Sequence, residues 1–369
     1  MIYLDHNATT PIDDRVLEAM LPYLATFYGN PSSLYRHGRM ARSALDVARE
    51  QVAALVNAQA SQIIFTSSGT EANNLALTAL HANDGLAISA IEHPCITEPA
   101  QRLQTQGHAL SILAVDRNGL ITQDAIDQII KSKPALVSMM LANNETGAIQ
   151  LIAEYAQQLG EHNIMVHTDA VQAAGKIAVD FKQLGVQLMT LSSHKIYGPK
   201  GCGALVFDKS VPIKPLLLGG GQEQGLRAGT ENVAAIVGFG KAAELAKAEL
   251  TSRKAHTLKL QNQLEQGLRA LPGLQIFAEL APRLPNTTQI GISGMDGEML
   301  LMKLDQKGVA VSSGSACASG AREPSPVLLA MGIDAELALS AIRISLGKNN
   351  TESEISKFIE QLSALIPKQ

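Results

Sequence analysis

Short apolar runs alternate along the chain with longer stretches whose apolar positions recur at helical spacing. The runs are Ile63 to Thr66, Leu86 to Ser89, Ala135 to Met140, Ile164 to Thr168, Leu188 to Ser192 and Gly203 to Phe207. They are apolar almost throughout rather than alternating, which predicts strands buried on both faces of a mainly parallel sheet. Arg39 to Val56 and Ala148 to His162 are long enough to be covering helices, giving an α/β fold with right-handed crossovers. From Val233 to about Leu271 the pattern is helical nearly throughout, and short strands resume at Thr287 to Ile292, Val309 to Val311 and Ile342 to Leu346. That long helical stretch is the expected joint. Residues 15–245 are read as a large domain, and residues 1–14 with 246–369 as a smaller one.

Composition narrows the partners. The 369 residues are 46% hydrophobic and 17% charged, with no tryptophan and a net charge of −4. That is an ordinary globular balance with no basic excess for nucleic acid or an anionic membrane surface. No apolar run approaches the roughly 18 residues of a membrane span, and the first ten residues lack a charged start followed by an apolar stretch. A cytoplasmic location is therefore expected. Cys95, Cys202 and Cys317 are too scattered for a disulfide framework and form no CxxC metal pair, so reduced thiols and no metal are expected.

Lys195 ends Ser192-Ser193-His194-Lys195, and Asp169 stands 26 positions earlier (195 − 169) at the end of another apolar strand. A lysine amine can form a Schiff base with the aldehyde of pyridoxal 5′-phosphate, while a carboxylate in the same pocket keeps the pyridine nitrogen protonated. Taken singly, Lys195 is an ordinary surface cation and Asp169 a strand-end carboxylate or helix cap. Two buried strands and the glycine-rich turn Gly198 to Gly203 favour the pocket instead. Ser192 and His194 are placed to donate to a phosphate. Ser67-Ser68-Gly69-Thr70, between a strand and a helical run, is either an anion site at a helix start or a plain cap. Gln172 can hydrogen-bond the cofactor's phenolic oxygen.

His93, in Ile91-Glu92-His93-Pro94, either stacks on the ring and carries protons or is an ordinary loop histidine. Cys317 lies among small residues, Ser312 to Gly320, which reads as a reachable thiol on an exposed loop. Cys95 and Cys202 sit in tighter contexts and read as structural. Arg343 interrupts an apolar strand, and a buried guanidinium needs a partner; a substrate carboxylate is the expected one. Asn144, in Asn143-Asn144-Glu145-Thr146-Gly147, either helps hold that carboxylate or the ring, or serves an ordinary turn.

With these residues in place the chain resembles the group I cysteine desulfurases, of the nitrogen-fixation and iron-sulfur assembly type, within the class V aminotransferases. The matching runs are Leu4 to Thr10, Gly29 to Ser33, Glu92 to Pro94, Asn143 to Gly147, His167 to Gln172, Ser193 to Lys195, Arg227 to Asn232, Ser313 to Cys317 and Ile342 to Gly347. They span nearly the whole chain. The resemblance implies a fold type I transferase with a mainly parallel seven-stranded sheet and a smaller α+β domain carrying the Cys317 loop. It implies Lys195 as the Schiff-base lysine, Asp169 and Gln172 on the ring, His93 stacked on it, and Gly69, Thr70, Ser192 and His194 at the phosphate. Asn144 and Arg343 fall on substrate-binding positions, and Cys317 on the sulfur-accepting nucleophile. Thr230 matches a threonine that reaches the phosphate of the neighbouring subunit, which implies a homodimer.

The implied reaction takes L-cysteine to L-alanine and leaves the sulfur on Cys317 as a persulfide, for delivery to an acceptor protein such as an iron-sulfur scaffold. Tyr35, Cys95 and Cys202 depart from the usual pattern at positions outside the catalytic set. Only 22 residues follow Gly347 (369 − 347), so a shortened acceptor-binding tail is expected. The alternatives are a selenocysteine lyase or another class V enzyme, which shares Lys195 and Asp169, and a non-catalytic assembly partner built on the same fold. Cys317 separates the first of these from a desulfurase.

Overall fold

The computed structural model describes residues 1–313 and 323–366; Cys317 lies outside them. In chain order the strands are β1 (Ile2–Tyr3), β2 (Ile63–Thr66), β3 (Leu86–Ser89), β4 (Leu110–Leu113), β5 (Leu136–Ser138), β6 (Met165–Asp169), β7 (Leu188–Ser192), β8 (Gly203–Phe207), β9 (Leu274–Ile276), β10 (Thr287–Ile292), β11 (Val309–Ala310), β12 (Ser312–Ser313) and β13 (Ile342–Ser345). Seven of them form one sheet in the order β2-β8-β7-β6-β5-β3-β4. Its central pairs are parallel and only β8 runs against its neighbours, so the expected mainly parallel sheet is borne out.

Successive residues of these strands enter two different cores, as a period of two requires. Ile63, Phe65, Val137, Val166, Met189 and Val206 pack on one side, beneath the helices Arg36–Leu55, Gln123–Ser132, Ile152–Gly160 and Val233–Ala248. Ile64, Leu86, Ile88, Leu136, Leu188 and Leu205 face the helices Gly69–Leu77 and Pro94–Thr105. Both faces are covered, which is why the runs are apolar without alternation. Strand β4 escapes that pattern. It is the sheet's edge, its Ile112 is exposed, and its Leu-Ser-Ile-Leu sequence carries no continuous apolar signal.

A second, antiparallel sheet runs β12-β13-β10-β9, and β1 pairs in parallel with β11. A separate apolar cluster lies here, with Leu260, Leu264 and Leu268 from the helix Leu250–Leu268 and Ile355, Phe358 and Leu362 from the helix Glu352–Ser363. The long helical stretch is two helices that meet at Glu249.

The sheet edge at β2 is fastened by one ion pair. Glu223 is 5% exposed. It accepts hydrogen bonds from Arg49 at 2.6 and 2.7 Å and from the Phe65 backbone N–H at 2.8 Å. Replacing it with alanine strands a half-buried guanidinium and should lower the unfolding free energy by about 3 kcal/mol or more. Urea denaturation checks this, and an unchanged midpoint would show the pair to be dispensable.

Candidate active site

Strands β2 and β7 both run against β8, so β2, β3, β5, β6 and β7 end on the same side of the sheet. The loops that leave those ends converge on a cavity of about 230 Å³. Such crevices, outside the carboxyl ends of parallel strands, are where α/β sheets bind ligands. Gly69, Thr70, His93, Asn144, Asp169, Gln172, Ser192, His194 and Lys195 all line it. Thr230 and Arg343 are not among its lining residues.

Asp169 ends β6, and Lys195 ends the single turn Ser193–Lys195 that follows β7. The Asp169 carboxylate accepts from the Val171 N–H at 2.9 Å through Oδ1 and from the Asn73 amide at 2.7 Å through Oδ2. Lys195 Nζ donates to the backbone oxygens of Asn7 and Ala8, at 2.5 and 2.8 Å. These carbonyls belong to the chain's opening segment, to which the sequence reading gives no site role.

Ser68 caps the helix Gly69–Leu77, accepting from the Glu71 N–H. This leaves a helix start, with its unpaired amides, directed at the cavity. The turn passes so close over β8 that a Cβ on Gly203 would lie 2.5 Å from the Ser68 carbonyl carbon. The glycine-rich turn after Lys195 thus makes room for protein backbone. Beside it, Ser192 Oγ is buried without a hydrogen-bond partner. Burial, then Lys195 and Lys200, pushes His194 down to about 4, so its ring is neutral at pH 7.

Asn143 rather than Asn144 makes the turn after β5. Its side chain accepts from the Glu145 and Thr146 N–H groups and donates to the Ile91 carbonyl. Asn144 is left facing the cavity. Arg343 lies on β13 and connects to that loop by donating to the Asn144 carbonyl at 3.0 Å. Its expected carboxylate partner has a counterpart within the protein: Asp5 Oδ1 accepts from it at 2.7 Å. Arg343 Nε is buried with no partner. Thr230 is exposed in a separate cleft with Ser67, Glu231 and Asn232.

Several groups at this site carry weak sequence signals. Lys176 Nζ donates to Asn7 Oδ1 and Gln172 Oε1, at 2.8 and 2.7 Å, and burial followed by Lys195 and Arg343 holds its pKa well below the usual lysine range. Gln172 in turn donates to the Asn7 carbonyl at 3.0 Å. Glu92 accepts from the Met140 N–H at 2.6 Å while its other oxygen is buried and unpartnered; burial, then Asp169, pushes its pKa well up. Cys95, read as structural, lines the cavity instead. The one sequence signal for Asn73 is its place mid-helix, where asparagine is a poor helix former.

These features fit pyridoxal 5′-phosphate. Unpaired amides at a helix start and an orphaned buried Ser192 hydroxyl suit the phosphate. Asp169 suits the pyridine nitrogen and Lys195 the aldehyde.

The aminotransferase class-V family model matches residues 2–358. A cysteine desulfurase of Nostoc sp. is 43% identical over 99% of this chain and 93% of its own length. Among solved structures, a NifS-like protein from Rickettsia africae superimposes with a TM-score of 0.91, at 37% identity and 99% coverage of both chains. SspA, solved in complex with cysteine, does so with a TM-score of 0.83 at 30% identity, over 95% of this chain and all of its own. With a lysine, a carboxylate and a phosphate cradle gathered at the strand ends, the chain belongs to the class-V aminotransferases, which depend on pyridoxal 5′-phosphate, and within them to the cysteine desulfurases.

Proposed function

We propose that this protein takes sulfur from L-cysteine, releases L-alanine and holds the sulfur as a persulfide on Cys317. The observation that carries this reading is the shared cavity of Lys195, Asp169 and His93 in a chain of the desulfurase family. Bound pyridoxal phosphate supplies an electron-withdrawing ring that makes the substrate's Cα–H acidic and its C–S bond labile. Lys195 Nζ would hold the cofactor aldehyde, and as a free amine it would serve as the base for the Cα proton. Asp169 keeps the ring cationic, and Gly69, Thr70, Ser192 and His194 hold the phosphate. Gln172 would support the ring's oxygen, while His93, which lines the same cavity, would pack against the ring and carry a proton.

Cys317 thiolate attacks the substrate sulfur. One S–S bond forms, one C–S bond breaks, and the electron pair stays with the substrate carbon, which is then protonated. No external oxidant or reductant is consumed. Cys317 follows Ser313, the end of β12, by four residues, an extended reach of at most about 14 Å. Ser312 on that strand sits opposite Arg343. Arg343 and Asn144 are assigned to the substrate carboxylate, supported by the unpartnered Nε of Arg343. Arg343→Lys, which cannot make a two-pronged bond, should lower kcat/KM for L-cysteine at least about tenfold, mainly through KM. Steady-state kinetics checks it, and an unchanged KM would remove Arg343 from the carboxylate.

The same proposal covers the finer points. The protein acts in the cytoplasm as a homodimer, with Thr230 reaching the phosphate of the partner subunit, and passes sulfur to an acceptor protein such as an iron-sulfur scaffold. Exposed Leu21, Leu24, Tyr28, Leu34 and Tyr35 support a covered face, and no helix among the described residues is long and apolar enough to cross a membrane. The division into residues 15–245 and residues 1–14 with 246–369 belongs here too, supported by the separate apolar cluster around β10 and β13. The deciding experiment incubates the holoenzyme with L-cysteine, measures alanine, and seeks one extra sulfur on the Cys317 peptide by mass spectrometry. A persulfide confined to Cys95 or Cys202 would refute the assignment.

A further inference from the structure

Four side chains beside the cavity form a continuous hydrogen-bonded chain. Asp169 comes from the end of β6, Asn73 from the helix Gly69–Leu77, and His93 and Cys95 from the start of the helix Pro94–Thr105. The Asn73 amide nitrogen lies 2.7 Å from Asp169 Oδ2 and 2.9 Å from Cys95 Sγ. An ionised carboxylate only accepts, so Asn73 must turn its NH₂ toward Asp169, and its two hydrogens go to the carboxylate and the sulfur. Asn73 Oδ1 is left buried without a partner, which fits that orientation. The sulfur, already accepting from Asn73, has its own hydrogen to give to His93 Nδ1, 2.9 Å away. The Cys95 backbone N–H is directed at the same nitrogen, at 3.1 Å. A ring nitrogen that receives donors carries no proton itself, so the hydrogen of His93 sits on Nε2.

We propose that Cys95 is a positioning residue, whose thiol holds His93 as its Nε2–H tautomer and, through Asn73, ties that histidine to the Asp169 carboxylate. Cys95 stays a neutral thiol, because burial, then Asp169, pushes its pKa up. The other groups that bear on His93 are Asp169, which favours its protonation, and Lys195, which opposes it; burial, then Asp169, pushes the pKa of neighbouring Glu92 well up. Burial leads in holding the His93 pKa below its usual value, as a neutral ring requires. On the desulfurase reading, from which this consequence follows, His93 meets the reaction as a proton donor from Nε2.

Nitrogen-15 histidine NMR of the full-length holoenzyme, assigned with His93→Gln, reads the tautomer and pKa without substrate. The native chain should show the Nε2–H form. Cys95→Ala removes a bond that favours the neutral ring and should raise the His93 pKa by about 0.5–1 unit. Cys95→Ser keeps a donor and should restore it to within about 0.3 unit. A native ring protonated on Nδ1, or a Cys95→Ala spectrum identical to the native one, overturns the proposal. A chain that made no alanine from cysteine would defeat the proposed function and leave this measurement valid.

Discussion

Replacing Lys195 with alanine is expected to reduce alanine formation from L-cysteine by about 10⁴-fold or more. A positioned general base alone accounts for about 10²–10⁴. On the proposed mechanism Lys195 would also tether the cofactor, so both contributions should vanish together. The visible absorbance of lysine-bound cofactor should disappear with the activity. Structural damage should stay small by comparison. The substitution leaves two backbone carbonyls, those of Asn7 and Ala8, without the Nζ donor, at a cost of about 1–3 kcal/mol each if they are sealed from water. The cavity admits water, so the lower end applies and the fold should persist. Lys195→Arg should be as inactive, since a guanidinium is never deprotonated under these conditions. A variant that kept its colour and more than about one hundredth of its turnover would dismiss Lys195 as the tether.

Cys317→Ser should abolish sulfur transfer, lowering persulfide formation by about 10³-fold or more, while the cofactor's spectral response to L-cysteine persists. On the proposed mechanism the split follows from where each residue would act, because substrate docking would use Lys195, Asn144 and Arg343, and only the sulfur-accepting step would use the thiol. The other two cysteines are poor substitutes. Cys202 is 2% exposed, Cys95 is half-buried and accepts a hydrogen bond from Asn73, and burial pushes both thiols up, away from the nucleophilic thiolate. Cys202→Ser should therefore keep the persulfide. Stopped-flow absorbance with sulfide and persulfide assays separates the steps, and retained sulfur transfer in Cys317→Ser would remove the mechanism.

What the sequence reveals of this site follows from chain locality. Asp169 ends a buried strand and Lys195, His93 and Asn144 each follow one, so strand ends identified from apolar runs place them in one crevice without further information. Ser68 and Gly69 announce a helix start by local chemistry alone. The residues that brace this set are illegible for the opposite reason. Asp5 is 338 positions from the Arg343 it pairs with, and Glu92 is 48 from the Met140 amide it accepts from. No local pattern distinguishes such a carboxylate from a surface one. Cys95 reads as a filler because its neighbours are unremarkable in sequence, while its meaning comes from Asn73 on another helix.

Asn7 ties together residues as far as 338 positions apart in sequence. Its carbonyl accepts from Lys195 and Gln172, its side chain contacts Lys176, Asn286, Thr287 and the Asn144 carbonyl, and its N–H donates to Ser345 Oγ. A ribosome must therefore have made the chain as far as Ser345 before the reactive centre can close. Translation products that stop short of Ser345 should consequently be unable to liberate sulfide, which keeps the chemistry silent until that strand is in place.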